Sequence, residues 1–232
     1  MCAYETRTRR QKKYRLVVDF RALNTITKQF VYPIPLINEI LDNLGDSCYF
    51  TSIDLKSGFY QIPIHPRDAA KTAFSTHRGH FEFTRMPMGL ENSPATFQKL
   101  MNTVLYELRG IKAFVYLDDV IVFGQTVKEH NENLVRVLEA LRKHKLKLEP
   151  EKCHFLMAKL KYLGHVISKD GIRPNGDNVA SIKNMAEPKT DREVRSFLGA
   201  VNFYDKFIKN ITDKRKPLND LLKKGVQVEF RM

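Results

Sequence analysis

A chain of 232 residues with a hydrophobic share of 43% can bury one large core or two small ones, and no run has the length of apolar residues that a membrane span needs. Its formal charge of +13 favours a polyanionic partner, nucleic acid above all. The charge is spread over basic groups at 7–15, 143–152 and 206–216 rather than confined to a tail. Three widely spaced cysteines, Cys2, Cys48 and Cys153, fit neither a disulfide framework nor a zinc site and suit a reducing compartment; no signal-peptide pattern opens the chain.

Residues 1–13 are polar and basic, and Tyr14 to Phe20 reads as a strand. Pro33 and Pro35 break the chain. Pro35 then suits the first turn of a short helix, with Leu36, Ile37, Ile40, Leu41 and Leu44 on one face and Gly45 at its end. Residues 49–55 and 59–64 are strand-like around Lys56-Ser57-Gly58, and Thr72 to Phe83 alternates as a hairpin about Arg78-Gly79. Ser93 has the character of an N-cap with Pro94 at the first helical position, and the helix should run to about Leu108. Thr126 and Glu129 have capping-box spacing ahead of an amphipathic helix with the stripe Leu134, Val137, Leu138 and Leu141. Strands at about 154–157 and 161–167 follow, then an Asp170-Gly171 turn. The remainder reads as helical, with a second capping box at Thr190–Glu193 and a last helix opened by Pro217.

The run Ala113 to Phe123 holds two adjacent carboxylates, Asp118 and Asp119, between β-branched and aromatic flanks, which predicts two strands closing on a tight turn at the acidic pair. Like charges beside apolar strands repel and are costly to desolvate, and a divalent cation at the turn would cancel them. Asp54 lies in a similar apolar setting. Three such carboxylates brought together at strand ends can hold two Mg²⁺ ions, the equipment for phosphoryl or nucleotidyl transfer. A hairpin directly after a helix points to an antiparallel sheet packed on helices, an α+β arrangement.

From about Lys13 to Lys224 the chain resembles the gypsy-type reverse transcriptases of LTR retrotransposon Pol polyproteins. The resemblance rests on Tyr14-Arg15-Leu16-Val17-Val18-Asp19-Phe20-Arg21-Ala22-Leu23-Asn24, Asp54-Leu55-Lys56-Ser57-Gly58-Phe59, Met86 to Pro94, Tyr116-Leu117-Asp118-Asp119 and Tyr162-Leu163-Gly164-His165, in that order. It implies a right-hand polymerase: fingers at 1–45 and 65–85, palm at 46–64 and 86–167, and a thumb-like or connection-like helical segment at 168–232. The implied reaction is addition of deoxynucleoside triphosphates to a primer 3′-hydroxyl on an RNA or DNA template, using two Mg²⁺ ions or Mn²⁺ in their place.

By that resemblance Asp54, Asp118 and Asp119 are catalytic, and the metal ligands are these three with the Leu55 carbonyl. Arg15 contacts the triphosphate, with Lys12 or Lys13 assisting and Arg21 structural. Phe59 is the gate that excludes a ribose 2′-hydroxyl, Met88 and Gly89 pass beside the nascent base pair, and Lys152 lies where a lysine meets pyrophosphate. Met88 departs from the pattern, since retroviral relatives carry glutamine and gypsy elements usually phenylalanine there. Leu163 and Gly164 match the primer grip, and Lys206, Lys209, Lys214 and Arg215 could hold duplex phosphates. The resemblance implies an intracellular location, in a cytoplasmic particle or the nucleus, and no membrane. RNase H and integrase domains are expected in the parent polyprotein; none of their motifs is present. Relatives have further fingers residues upstream, so the chain reads as a fragment, which leaves a catalytically silent nucleic-acid-binding remnant as the alternative.

Overall fold

The computed structural model describes the backbone of residues 2–8 and 11–223, with side chains from 17 onward. The chain divides into two compact units, 1–160 and 161–232.

The first unit is built on a four-stranded antiparallel sheet. Its strands are β3 (Tyr49–Asp54), β6 (Ala113–Tyr116), β7 (Asp119–Gly124) and β8 (His154–Met157), in the order β6-β7-β3-β8. The helices α4 (Ser93–Val104) and α5 (Val127–Lys143) cover one face. On that face Ile53, Val115, Val120 and Val122 pack with Phe97, Met101 and Val104 of α4 and Val137 and Leu141 of α5. The period-2 alternation of the strands and the stripe on α5 are therefore two halves of one core. The opposite face carries Phe50, Phe114, Ile121 and Phe123; the rings of Phe114 and Phe123 stack at 5.4 Å.

Thr126 caps α5 by accepting the Glu129 N–H at 3.2 Å. The Glu129 carboxylate accepts the N–H of Gln125 rather than that of Thr126, so the expected box is displaced by one residue. The start of α5 presses on Gly124, where a Cβ would meet the His130 backbone nitrogen at 2.7 Å. The imidazole of His130, fully buried, is 2.9 Å from the Thr51 hydroxyl.

Around this core lie the antiparallel pair β1 (Cys2–Thr8) and β2 (Gln11–Val17), the short helices α1 (Arg21–Ile26), α2 (Ile37–Asn43) and α3 (Pro66–Ala69), and the hairpin β4 (Phe74–Thr76) and β5 (Gly79–Phe81). Several boundaries differ from expectation. The first motif ends its strand at Val17 and turns into α1 at Arg21. Pro35 precedes the Leu36 cap of α2 instead of opening its first turn. Residues 59–64 do not form a strand: Gly58–Gln61 is a 3₁₀ turn, closed by Tyr60 N–H to Ser57 C=O at 2.9 Å and Ile62 N–H to Phe59 C=O at 3.1 Å. Only Ile62 and Ile64 reach an extended partner, in the 84–86 segment. Asn92, not Ser93, stands at the N-cap position of α4, and its side chain makes no cap hydrogen bond. The Ser93 hydroxyl donates instead to the Pro87 carbonyl at 3.1 Å, and the helix ends at Val104.

The boundary between the units falls inside the first strand of a three-stranded meander of β9 (Lys159–Tyr162), β10 (His165–Ser168) and β11 (Gly171–Pro174), with β10 central. The expected strand at 161–167 is thus two strands around Leu163-Gly164. A further strand, β11, precedes the helices α6 (Gly176–Lys183), α7 (Asp191–Asn202) and α8 (Ile211–Asp220). The Thr190–Glu193 box is complete at the start of α7. Pro217 lies inside α8 rather than at its start.

Candidate active site

The Asp118 hairpin is tighter than its sequence suggests. Tyr116 pairs with Asp119, so the two central turn residues are Leu117 and Asp118, and Asp119 is already the first residue of β7. Leu117 adopts φ +51°, the left-handed region that two-residue hairpins require. On the other side of β7 the register sets Asp54 directly opposite Asp119. Residues so paired carry their Cβ atoms on one face, roughly 4.5–5.5 Å apart. That face is opposite the one bearing Ile53 and Val120, which the helices cover. Both carboxylates therefore leave the sheet away from the core, beside the turn that carries Asp118.

Their electrostatics follow from this placement. Partial desolvation, then the charges of Asp119 and Asp54, push the Asp118 carboxyl above the usual carboxylate range. Desolvation and then Asp54 do the same to Asp119. The Lys152 ammonium lies 3.5 Å from Asp54 Oδ1, a partly exposed pair. Hard, mutually repelling carboxylate oxygens are the donor set that suits a hard divalent cation. The fold fixes the backbone register; among the described residues no three His, Cys, Asp or Glu side chains converge closely enough to define a metal cluster by themselves.

Several groups that hold this corner escape a reading by motif. Gln98 on α4 is fully buried, and its amide Oε1 accepts the Leu117 N–H at 2.7 Å while Nε2 donates to the Val115 carbonyl at 3.2 Å and to Asn102 Oδ1 at 3.0 Å. β6 is an edge strand, so this one amide acts as a stub of a neighbouring strand along its free side. Its signal was a polar residue inside the buried face Phe97, Gln98, Met101. Behind Asp54, the Cys153 sulfur accepts the Asp54 N–H at 3.4 Å, and the Asp54 carbonyl accepts the Glu149 N–H at 2.9 Å. The neighbouring bridge of Leu55 to Leu148 runs through that carbonyl and through the Lys56 N–H, not through the Leu55 carbonyl. Gln61 bonds Lys56 and both backbone groups of Lys147, fastening the 3₁₀ turn to the same corner.

Phe59 is half-buried and meets Phe97 edge-on at 5.4 Å. The contact needs Gly58, where a Cβ would lie 2.8 Å from Phe97 Cζ and 3.4 Å from Asp118 Oδ1. Gly89 (φ +94°) borders a recess of about 330 Å³ with Val18, Phe20 and Asn24. Asn24 holds it there, donating to the Gly89 carbonyl at 2.9 Å and accepting the Glu91 N–H at 3.0 Å. Met88 beside it is half-buried. Arg21 forms a bidentate pair with Asp19, which holds the Asp19 carboxyl down at about 2. The backbone of Arg15 lies in β2; its side chain and those of Lys12 and Lys13 fall outside the described residues. In the second unit, Leu163 and Gly164 form the turn between β9 and β10, and Lys206, Lys209 and Lys214 are exposed.

The model of the reverse transcriptase (RNA-dependent DNA polymerase) family matches residues 7–167. The chain belongs to the reverse transcriptase family. Its relatives are of the retrotransposon kind. The Pol polyprotein of transposon 297 from Drosophila melanogaster is 46% identical over 94% of this chain, and that of transposon gypsy from the same organism 41% over 90%. The Tf2-3 polyprotein of Schizosaccharomyces pombe is 37% identical over 92%. This reverse transcriptase chain spans about a fifth of the length of these curated relatives: 20% of each Drosophila polyprotein and 16% of the yeast one. Among solved structures, the foamy viral protease–reverse transcriptase in complex with double-stranded DNA superposes with a TM-score of 0.88 at 29% identity, over 99% of this chain and 40% of that one. Its complex with an RNA/DNA hybrid gives 0.79 at 30% identity, over 94% and 30%. These neighbours settle the α+β right-hand polymerase fold. No helix among the described residues is long and apolar enough to cross a membrane.

Proposed function

We propose that this chain carries out RNA-directed DNA polymerisation: template-directed addition of deoxynucleotides to a primer 3′-hydroxyl, with release of pyrophosphate. The observation that carries the reading is the strand register that opposes Asp54 to Asp119 beside the Asp118 turn, where partial burial and then neighbouring charge raise the proton affinity of Asp118 and Asp119. Carboxylates so crowded are disposed to bind cations, and Asp54, Asp118 and Asp119 would hold two Mg²⁺ or Mn²⁺ ions, with the Leu55 carbonyl as a further oxygen donor. When bound, the ions supply the charge that lowers the pKa of the attacking hydroxyl and stabilises the leaving pyrophosphate.

The remaining roles belong to side chains. Arg15 forks onto the triphosphate. Phe59, braced on Phe97, sets a ring against the sugar C2′ and excludes ribose by repulsion. Met88 and Gly89 line the nascent base pair, and Lys152, paired with Asp54 at 3.5 Å, meets the pyrophosphate product. Leu163 and Gly164 position the primer end, and Lys206, Lys209, Lys214 and Arg215 neutralise duplex phosphates with a marked salt dependence. In this division residues 1–45 and 65–85 are fingers, 46–64 and 86–167 palm, and 168–232 a thumb-like or connection-like segment. The foamy viral complexes with double-stranded DNA and with an RNA/DNA hybrid support a template–primer as the partner.

The test is primer extension on a primed homopolymeric RNA with Mg²⁺ and labelled deoxynucleotides, with Asp118→Asn as control. Extension by the parent and none by the variant is the expected result. Salt-sensitive binding with no extension by the parent overturns the polymerase reading and leaves a nucleic-acid-binding protein.

A further inference from the structure

The Leu163-Gly164 turn is held by a relay that no motif contains. Both turn residues have positive φ, +44° at Leu163 and +77° at Gly164, as a two-residue hairpin demands. Leucine there is strained, so the turn needs outside support to keep one shape. Gly164 is covered by ring atoms: a Cβ on it would meet Phe203 Cε1 at 2.9 Å and the Tyr204 hydroxyl at 3.3 Å. The Tyr204 hydroxyl donates to the Gly164 carbonyl at 2.8 Å and itself accepts the side-chain N–H of Asn178 at 2.9 Å. The same carbonyl accepts the backbone N–H of Asn175, the cap of α6, at 3.1 Å. At the other half of the turn, His165 Nδ1 lies 2.9 Å from the Leu163 carbonyl, and its ring is packed among Phe203, Tyr204 and Phe207 at 5.2–5.7 Å.

A phenol that is 5% exposed need not be a tyrosine to fill its space; a phenylalanine would fill it as well. The hydroxyl earns its place through direction. Asn178 can donate to it only if the phenolic proton is turned the other way, toward Gly164, and each bond in such a chain polarises the next. Asn178 lies on α6 and Tyr204 just past α7, so the relay makes the shape of the turn depend on the packing of both helices.

We infer that Tyr204, oriented by Asn178, is a positioning residue that fixes the Leu163-Gly164 turn and through it the primer terminus. The inference rests on the reading of this turn as the primer grip. Neither side chain need touch nucleic acid for this role.

The test uses the full chain bound to a template–primer with 2-aminopurine at the primer 3′ end, and compares Tyr204→Phe, Asn178→Asp and Leu163→Ala with the parent. A carboxylate at position 178 can only accept, so it draws the phenolic proton away from Gly164 without disturbing the ring; Asn178 is exposed, which protects the fold. The expected result is that Tyr204→Phe and Asn178→Asp bind the duplex within about twofold of the parent, loosen the terminal base as read by a fluorescence rise, and extend the primer about tenfold more slowly. A loose terminal base in Leu163→Ala with an unchanged signal in both relay variants overturns the relay and leaves the grip reading standing. An unchanged terminal base in Leu163→Ala overturns the grip reading itself, and the inference with it.

Discussion

The most direct test of how the carboxylate hairpin is held is Gln98→Met. Methionine has nearly the length and volume of glutamine and fits a buried helical site, so the change removes hydrogen bonds without opening a cavity. Gln98 is fully buried and makes three bonds, to the Leu117 N–H, the Val115 carbonyl and Asn102 Oδ1. Orphaning a buried polar group costs about 1–3 kcal/mol. Val115 is 1% exposed, so its carbonyl carries the full penalty, whereas Leu117 lies in a half-exposed turn where water can replace part of the loss. Asn102 keeps the bond that its Nδ2 donates to the Tyr32 hydroxyl at 3.1 Å, but its buried Oδ1 loses the donor that Gln98 supplied. The sum is about 2–4 kcal/mol, which for a unit of this size lowers the melting temperature by roughly 5–15 °C. Loss of the Leu117 bond also frees the residue at φ +51° to relax, and the turn carrying Asp118 with it. Extension should therefore fall further than the folded fraction alone explains. Thermal unfolding by circular dichroism and primer extension well below the transition measure the two effects. A melting temperature within about 2 °C of the parent would refute the reasoning, because it would mean that the edge of β6 is satisfied without the amide.

Phe59→Val should raise incorporation of ribonucleotides relative to deoxynucleotides in primer extension; an unchanged ratio removes the gate. Gly58→Ala should destabilise by about 1–3 kcal/mol and slow extension, because the new methyl lies 2.8 Å from Phe97 Cζ, and pairing it with Phe97→Leu should recover part of the stability. Burial and the charge of Lys206 hold the His165 imidazole below its ordinary 6.5 despite its bond to the Leu163 carbonyl. The unfolded chain therefore takes up the proton first as pH falls. Stability is full above about 6.5, declines below it, and levels off only below the folded-state value; a histidine-free variant at 165 whose unfolding has the same acid dependence as the parent would contradict this.

What could be read from the sequence was local. The α5 stripe, the Thr190–Glu193 box and the two strands flanking the Asp118-Asp119 pair each depend on residues a few positions apart, and all appear as expected. What could not be read depends on distant partners. Helix α1 has no buried residue and no side-chain cap; Asn24, bonded across to Gly89 and Glu91, ties it in place. The stretch Phe59-Tyr60-Gln61 has strand propensity, yet the packing of Phe59 on Phe97 and of Gln61 on Lys147 selects a 3₁₀ turn. Pro217 has the look of a helix start, but Asn210, in the left-handed region at φ +55°, begins α8 earlier and the proline is carried inside.

The site divides in the same way. That Asp118 and Asp119 would sit at a hairpin follows from eleven consecutive residues, Ala113 to Phe123. Which of them faces Asp54 is a matter of register, and a shift of one residue would send Asp54 into the helix-covered face. The apolar row pins that register. Ile53, Val120 and Val115 must all point at α4 and α5, so Asp54 and Asp119 must both point away. The core that stabilises the sheet thus also aims the carboxylates. Replacing Ile53 or Val120 by a charged residue should therefore damage the site by freeing its register, although neither side chain reaches it.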